Sequence, residues 1–490
     1  VGVDDNFFEL GGDSILSIQV IARARDAGLR FAPKQLFEHQ TIAELAAVEG
    51  TCQTIDAEQG PVAGPAPLTP IQHWFLDAAG QDAEPIDAAH FNQAVLLEVG
   101  ESVRSDLVEQ CLQQLCLHHD ALRLRFSREG ASWTQSHAEA AAWPMTRFDL
   151  RRLLPGEQAA EMDSQINRLQ TGLNLSAGPL AVAGWFEFGA GRTRRLLLAV
   201  HHLAVDAVSW RILLEDLSAV YAQLCAGQTP ALPPKTTSFQ AWSRRLGELA
   251  ASEAVRQEAP YWFESARRRV DPLPRDFAAD ENLCSSAREI AGALDAGETT
   301  ALLETAPAAY RTEINDLLLA ALARCLAEWT GDSRSLVDLE SHGRLPLFDD
   351  VDLTRTVGWF THYYPLCLSW VPGQTAGEVL VKTKDALRRA PQGGIGYGLL
   401  RYLNSDPTAA KLKALPQAEV SFNYLGRLGG LLPDGGPFAL AAESSGALRS
   451  PRAKRRHLLE INAHILAGRL QVIWTYSDRV HRRETVARLA

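Results

Sequence analysis

The sequence predicts a small all-α unit followed by a larger α/β assembly. A short helical region ends near Gly50, and its last helix is announced by Thr41 and Glu44 at capping-box spacing. Residues 51–66 then carry Gly60, Pro61, Gly64 and Pro65, the composition of a mobile linker. Beyond them, helix-like runs such as Val103 to His119 and Ser209 to Cys225 alternate with strand-like runs such as Ala94 to Val99, Leu196 to Val200 and Leu336 to Leu339. That alternation is the mark of an α/β fold. A chain of 490 residues with 46% hydrophobic content is long enough for two or three compact units with substantial cores.

In the helical unit, Ile15, Ile18, Ile21 and Ala22 share helical spacing behind the turn permitted by Gly11 and Gly12. Ser14 falls at the helix start. Asp13 or Ser14 there serves as an N-cap. A group carried on the Ser14 hydroxyl would instead sit beside free backbone N–H groups and the positive end of the helix dipole, which favours a phosphodiester.

The segment His201 to Trp210 joins a basic-apolar strand, Arg194 to Val200, to a helix-like run, Arg211 to Leu217. An imidazole at such a strand mouth suits proton transfer near neutral pH. Neighbours on an extended segment point to opposite faces, so one of His201 and His202 packs inward while the other faces a cleft. Asp206 caps the following helix or forms a buried ion pair that holds the loop. No metal site is expected, because the chain has no His-Glu-x-x-His and no Cys-x-x-Cys pattern. His118 to Asp120 reads as a helix-to-strand turn, and Gly393 to Gly398 lacks the lysine and spacing of a nucleotide loop.

A formal charge of -11 argues against nucleic-acid and anionic-membrane partners, and Arg267 to Arg269 and Lys454 to Arg456 are short enough to be solvated faces. No apolar run is long enough to cross a membrane, and Val1 to Val3 is too brief for a signal peptide. The seven scattered cysteines, Cys52 among them, fit reduced thiols in a cytoplasmic protein.

Asp4 to Ile15, with Gly11, Gly12, Asp13 and Ser14, resembles the attachment motif of peptidyl carrier domains of nonribosomal peptide synthetases, in the variant that precedes an epimerization domain. The rest of the chain resembles that epimerization domain through seven ordered motifs. These are Pro67 to Phe75, His201 to Trp210, Asp316 to Ala321, Glu340 to Arg344, Arg355 to Thr361, Pro391 to Gly398 and Phe422 to Gly426. The resemblance implies a carrier at 1–50 lacking its first helix, a linker at 51–66, and two chloramphenicol-acetyltransferase-like subdomains, 67–271 and 272–490, in a V shape around a channel. It implies covalent 4'-phosphopantetheine on Ser14, placed there by a phosphopantetheinyl transferase. The implied partners are a carrier-bound aminoacyl or peptidyl substrate, an upstream adenylation domain and a downstream condensation domain. Ala207, Ser341 and Leu345 depart from the family pattern, and Ala207 stands where glycine would ease a special backbone conformation.

The implied chemistry is epimerization of an α-carbon by proton removal and return. His202 and Glu340 are the catalytic pair, with His201, Asp206, Asn423 and Tyr424 in support, the last two as donors to an enolate oxygen. An imidazole needs no help near neutral pH, whereas the Glu340 carboxyl must be raised by burial or a neighbouring anion to donate a proton there. An L/D mixture is the expected product. A condensation domain that forms peptide bonds and a noncatalytic docking domain are the two rival readings of the same fold.

Overall fold

Ser14–Asp26, Pro33–Glu38 and Ile42–Ala47 form the helices of the N-terminal unit in this computed structural model. It describes residues 1–490 apart from 9, 13, 52–54, 56, 79–87, 131, 190, 268–269, 279–280, 405–406, 430–431 and 433–434. Asp13, Cys52, Arg268 and Arg269 lie outside the described residues. Ile18, Ile21 and Ala22 are buried, the apolar face that helical spacing requires, and Leu36 of the next helix is buried too. The capping box forms: Thr41 Oγ1 accepts from the Glu44 N–H at 3.1 Å, and Glu44 Oε2 accepts from the Thr41 N–H at 3.2 Å. Gly12 is obligatory before the first helix, since a Cβ there would lie 2.5 Å from the Phe7 carbonyl oxygen.

A small three-stranded sheet and two large mixed ones organise the remainder. One runs in the order Phe438–Leu440, Asn92–Val99, Arg194–His201, Ala181–Glu187 and Met145–Asp149. Leu196 to Val200 are buried without a break, as a central strand covered on both faces demands. The other sheet runs in the order His362–Ser369, Arg334–Ser341, Val420–Arg427, Leu459–Leu466, Arg469–Ser477 and Ala287–Ala293. Helix Pro155–Thr171 packs on the first sheet, Ser105–His118 and Ala207–Cys225 pack on each other, and Ile314–Thr330 and Ala376–Arg389 pack on the second sheet. This is the two-part α/β architecture that the acetyltransferase-like resemblance implies.

Two features depart from a simple division along the chain. Phe438–Leu440 pairs with Asn92–Val99, and Phe91 bridges to Arg449, so C-terminal residues complete the N-terminal sheet. The stretch expected to be linker also ends early: Gly64–Ala66 is an edge strand on Ser132–His137, and Val62 is buried. Pro65 is compatible with that edge, where no further ladder donor is needed. Among the described residues, no helix is long and apolar enough to cross a membrane.

Candidate functional site

Strand-end residues of both sheets and the start of the first helix line one cavity of about 1010 Å³. The N-terminal sheet supplies His202, immediately after the Arg194–His201 strand. The C-terminal sheet supplies Glu340, next to last in Arg334–Ser341. Gly11, Gly12 and Ser14 of the helical unit line the same space, and Ser14 is the first residue of its 13-residue helix. That setting fits a phosphodiester at Ser14: the hydroxyl sits at a helix N-terminus, the turn before it excludes any side chain at Gly12, and the cavity opens beside it. When attached there, 4'-phosphopantetheine supplies a flexible tether and a thioester that acidifies the neighbouring α-carbon.

The two histidines divide as alternation on an extended segment requires. His201 is fully buried, with Nε2 2.9 Å from the Ala88 carbonyl oxygen and Nδ1 accepting from the Leu203 N–H at 3.2 Å. His202 faces the cavity. Its Nδ1 lies 2.8 Å from the Val205 carbonyl oxygen, so Nδ1 carries the proton and donates it there. Nε2 is left as the basic atom, 3.0 Å from the Gln93 side-chain nitrogen. Burial pushes His202 down to about 4, against the opposing Val205 hydrogen bond, and keeps the ring neutral at pH 7.

Burial pushes the Glu340 carboxyl in the other direction, up, although Tyr363 and Arg449 oppose it. That is the direction a proton donor needs. Tyr363 faces Glu340 across the antiparallel pair of strands and donates its hydroxyl to Glu340 Oε2 at 2.5 Å. Neither Arg344 nor Arg355 pairs with Glu340. Arg344 is committed to Asp206 at 3.1 Å, and Arg355 to Asp216 and Glu215.

Asp206 does both things open to it in the sequence. Its Oδ1 caps helix Ala207–Cys225 by accepting from the Ser209 N–H at 2.7 Å, and the carboxylate also receives Arg344 and the Phe360 N–H at 3.3 Å. Because Arg344 follows the Glu340 strand and Asp206 follows His202, this buried pair ties together the chain segments that present the two groups. Ala207 is the first residue of that helix and has no positive φ, so the absent glycine imposes no strain.

Asn423 and Tyr424 line the cavity from Val420–Arg427, and His342 lines it too, with Nδ1 accepting from the Arg344 N–H at 3.1 Å. An aromatic wall surrounds His202: Trp359 lies 4.3 Å from the imidazole centroid, and Phe91 stacks on it at 5.1 Å. Gln93, Tyr363, Phe91 and Arg449 all line the cavity and were not singled out from the sequence. The signal for Gln93 lay in the alternation of Asn92–Val99 opposite Arg194–His201, where it pairs with Val200. No group of His, Cys, Asp and Glu among the described residues is arranged to hold a metal ion.

With this geometry in place, the Condensation domain family matches residues 62–490, and the Phosphopantetheine attachment site family matches residues 1–48. The chain belongs to the condensation domain family. Its condensation-family unit follows a phosphopantetheine attachment domain, the arrangement of nonribosomal peptide synthetases. One of the linear gramicidin synthase proteins of Brevibacillus parabrevis is 45% identical over 495 residues, covering 100% of this chain and 6% of that protein. Chondramide synthase of Chondromyces crocatus is 43% identical over 493 residues, covering 100% of this chain and 12% of that protein. The chain therefore spans a small fraction of such relatives. The crystal structure of the epimerization domain from the third module of tyrocidine synthetase B is 35% identical, with a TM-score of 0.81, over 89% of this chain and 96% of that one. The starter condensation domain of rhizomide synthetase RzmA shares the fold at 18% identity and a TM-score of 0.62, over 87% of this chain and 93% of that one. Fold alone does not choose between joining substrates and inverting them.

Proposed function

We propose that this chain is an isomerase that epimerizes the α-carbon of an aminoacyl or peptidyl thioester carried on Ser14. The observation that carries the reading is that Ser14, a neutral His202 and a Glu340 carboxyl raised by burial share one cavity. In one direction the α C–H bond breaks, the proton passes to His202 Nε2, and the electron pair moves into the thioester as an enolate. Glu340 then gives its proton to the other face of the same carbon. The reverse direction exchanges the two roles. A group that starts as base and one that starts as acid are what inversion needs, and general acid–base groups of this kind contribute on the order of 10²–10⁴ in rate.

The tether makes encounter intramolecular, so the carrier surface need not bind tightly. Arg25 on the first helix pairs with Asp352 of the condensation-family unit, which favours the docked arrangement. An upstream adenylation domain would supply the L-monomer, and a downstream condensation domain would draw the D-form from the resulting mixture. The likeness to the tyrocidine synthetase epimerization domain, together with Glu340, favours inversion over amide formation.

The test is to load Ser14 with an L-aminoacyl-phosphopantetheine arm through a phosphopantetheinyl transferase, incubate in heavy water, and analyse the released amino acid. α-Deuterium together with D-configuration is the expected result. Amide formation that occurs only when a second loaded carrier is supplied would assign condensation instead. Neither exchange nor amide formation would assign a docking role.

A further inference from the structure

Among the charged side chains that line the cavity with His202 and Glu340 is Arg449. It lines the cavity with 46% of its side-chain surface open. Its backbone is fixed by the bridge to Phe91 and by the Asn92 N–H, which donates to the preceding carbonyl of Leu448 at 2.7 Å. The guanidinium carbon sits 5.0 Å from the centroid of Phe91, and Phe91 stacks on His202 with 14° between the ring planes. Arg449 is thereby held within one aromatic ring of the imidazole. Its charge acts on both groups: Arg449 is among those that draw Glu340 down against burial, and among those that lower His202.

Its own partners consume little of its donor capacity. Glu460 lies 3.6 Å from Nη1 and is shared with Arg455 at 3.2 Å, and the Cys284 thiol is a further polar neighbour. A guanidinium carries five N–H donors. The Phe91 ring covers one face of the guanidinium, while its edge stays open to the cavity.

The geometry points to Arg449 as a catalytic residue, the electrophile that receives the thioester carbonyl oxygen and holds the negative charge there while the α-carbon is deprotonated. This rests on the proposed inversion. As the C–H bond breaks and its proton goes to His202 Nε2, the electron pair forms the carbon–carbon double bond of the enolate and the oxygen takes the charge beside Arg449. When Glu340 returns a proton to carbon, the charge leaves the oxygen and the carbonyl re-forms. Asn423, whose side chain faces the same cavity, adds a neutral donor to the cationic one.

Two measurements test the assignment in the full chain. In α-proton exchange on the Ser14-loaded protein, Arg449→Gln lowers kcat by about 10²–10³, the loss typical of one missing oxyanion donor, while Arg449→Lys recovers part of it. In binding, a pantetheine thioether ending in a carboxylate, whose planar anion imitates the enolate, binds wild type at least tenfold tighter than its primary amide counterpart. Arg449→Gln abolishes that preference. Full exchange in Arg449→Gln, or a wild type indifferent to the probe's charge, overturns the assignment. A wild type that exchanges nothing sinks the proposed function instead, and the charge preference still decides on Arg449 by itself. Should Arg449→Gln not fold, the wild-type preference and the Arg449→Lys rate decide.

Discussion

The two walls of the cavity differ in what surrounds His202 on one and Glu340 on the other. Around His202 the wall is aromatic, with Phe91 and Trp359 against the imidazole and one polar neighbour, Gln93, at Nε2. Around Glu340 it is a lattice of polar groups, with Tyr363 on the carboxylate, Arg449 and Arg455 around Glu460, and His457 2.8 Å from Asp338. The same burial acts on both sides with opposite signs, because it disfavours whichever form is charged. It keeps the imidazole unprotonated and biases the carboxyl toward the protonated form. Under the proposed function, one physical cause thus suits one wall to act as base and the other as acid, and the polar lattice limits how far the carboxyl is raised.

Removing either member should break this pairing most severely. His202→Ala and Glu340→Gln are each expected to lower the rate of inversion by about 10²–10⁴, read from the chirality of the released amino acid, with Ser14 loading unchanged by mass. Next in size is the tie between the segments that present them. Arg344→Met leaves the buried Asp206 carboxylate without its cation and should cost about 3–5 kcal/mol of stability, measured by denaturant unfolding. A smaller loss there would mean that water or another donor replaces the guanidinium.

Acid should separate the walls more gently. His202 titrates near 6.5 when unfolded and about 4 when folded, so the unfolded chain takes up its proton first as pH falls. The stability that depends on a neutral His202 is complete above pH 6.5 and drains away between there and about pH 4, and His202→Gln should flatten that part of the stability profile. Smallest is Tyr363→Phe. It removes the hydrogen bond that favours ionised Glu340, worth about 0.5–1.5 kcal/mol, and should move the alkaline limb of the inversion profile upward with only a several-fold change in rate. A downward move would show that Tyr363 stabilises the protonated acid.

The sequence made much of the N-terminal wall legible because its signals are local. An unbroken apolar run marks the strand before His201, alternation separates His201 from His202, and Asp206 stands three residues before Ser209, whose N–H it caps. Glu340 was legible through its motif, but its environment was not. Tyr363 meets it only through the register of two strands twenty-odd residues apart in the chain, and Arg449 reaches the site through a bridge to Phe91. The strand Phe438–Leu440 was hidden for the same reason: its partner, Asn92–Val99, lies in the other half of the chain. Gly64–Ala66 was masked by its own composition, since glycine and proline suit both a linker and an edge strand.

The most direct test of the opposed pair is to follow α-hydrogen exchange and inversion separately in heavy water for the Ser14-loaded single mutants, starting from the L- and from the D-aminoacyl form. Two opposed groups predict a split: Glu340→Gln and His202→Ala each still exchange the α-hydrogen of one enantiomer without inverting it, and the enantiomer is not the same for both. If both mutants exchange the same enantiomer, or if either retains full inversion, the two walls do not act from opposite faces and the account is wrong.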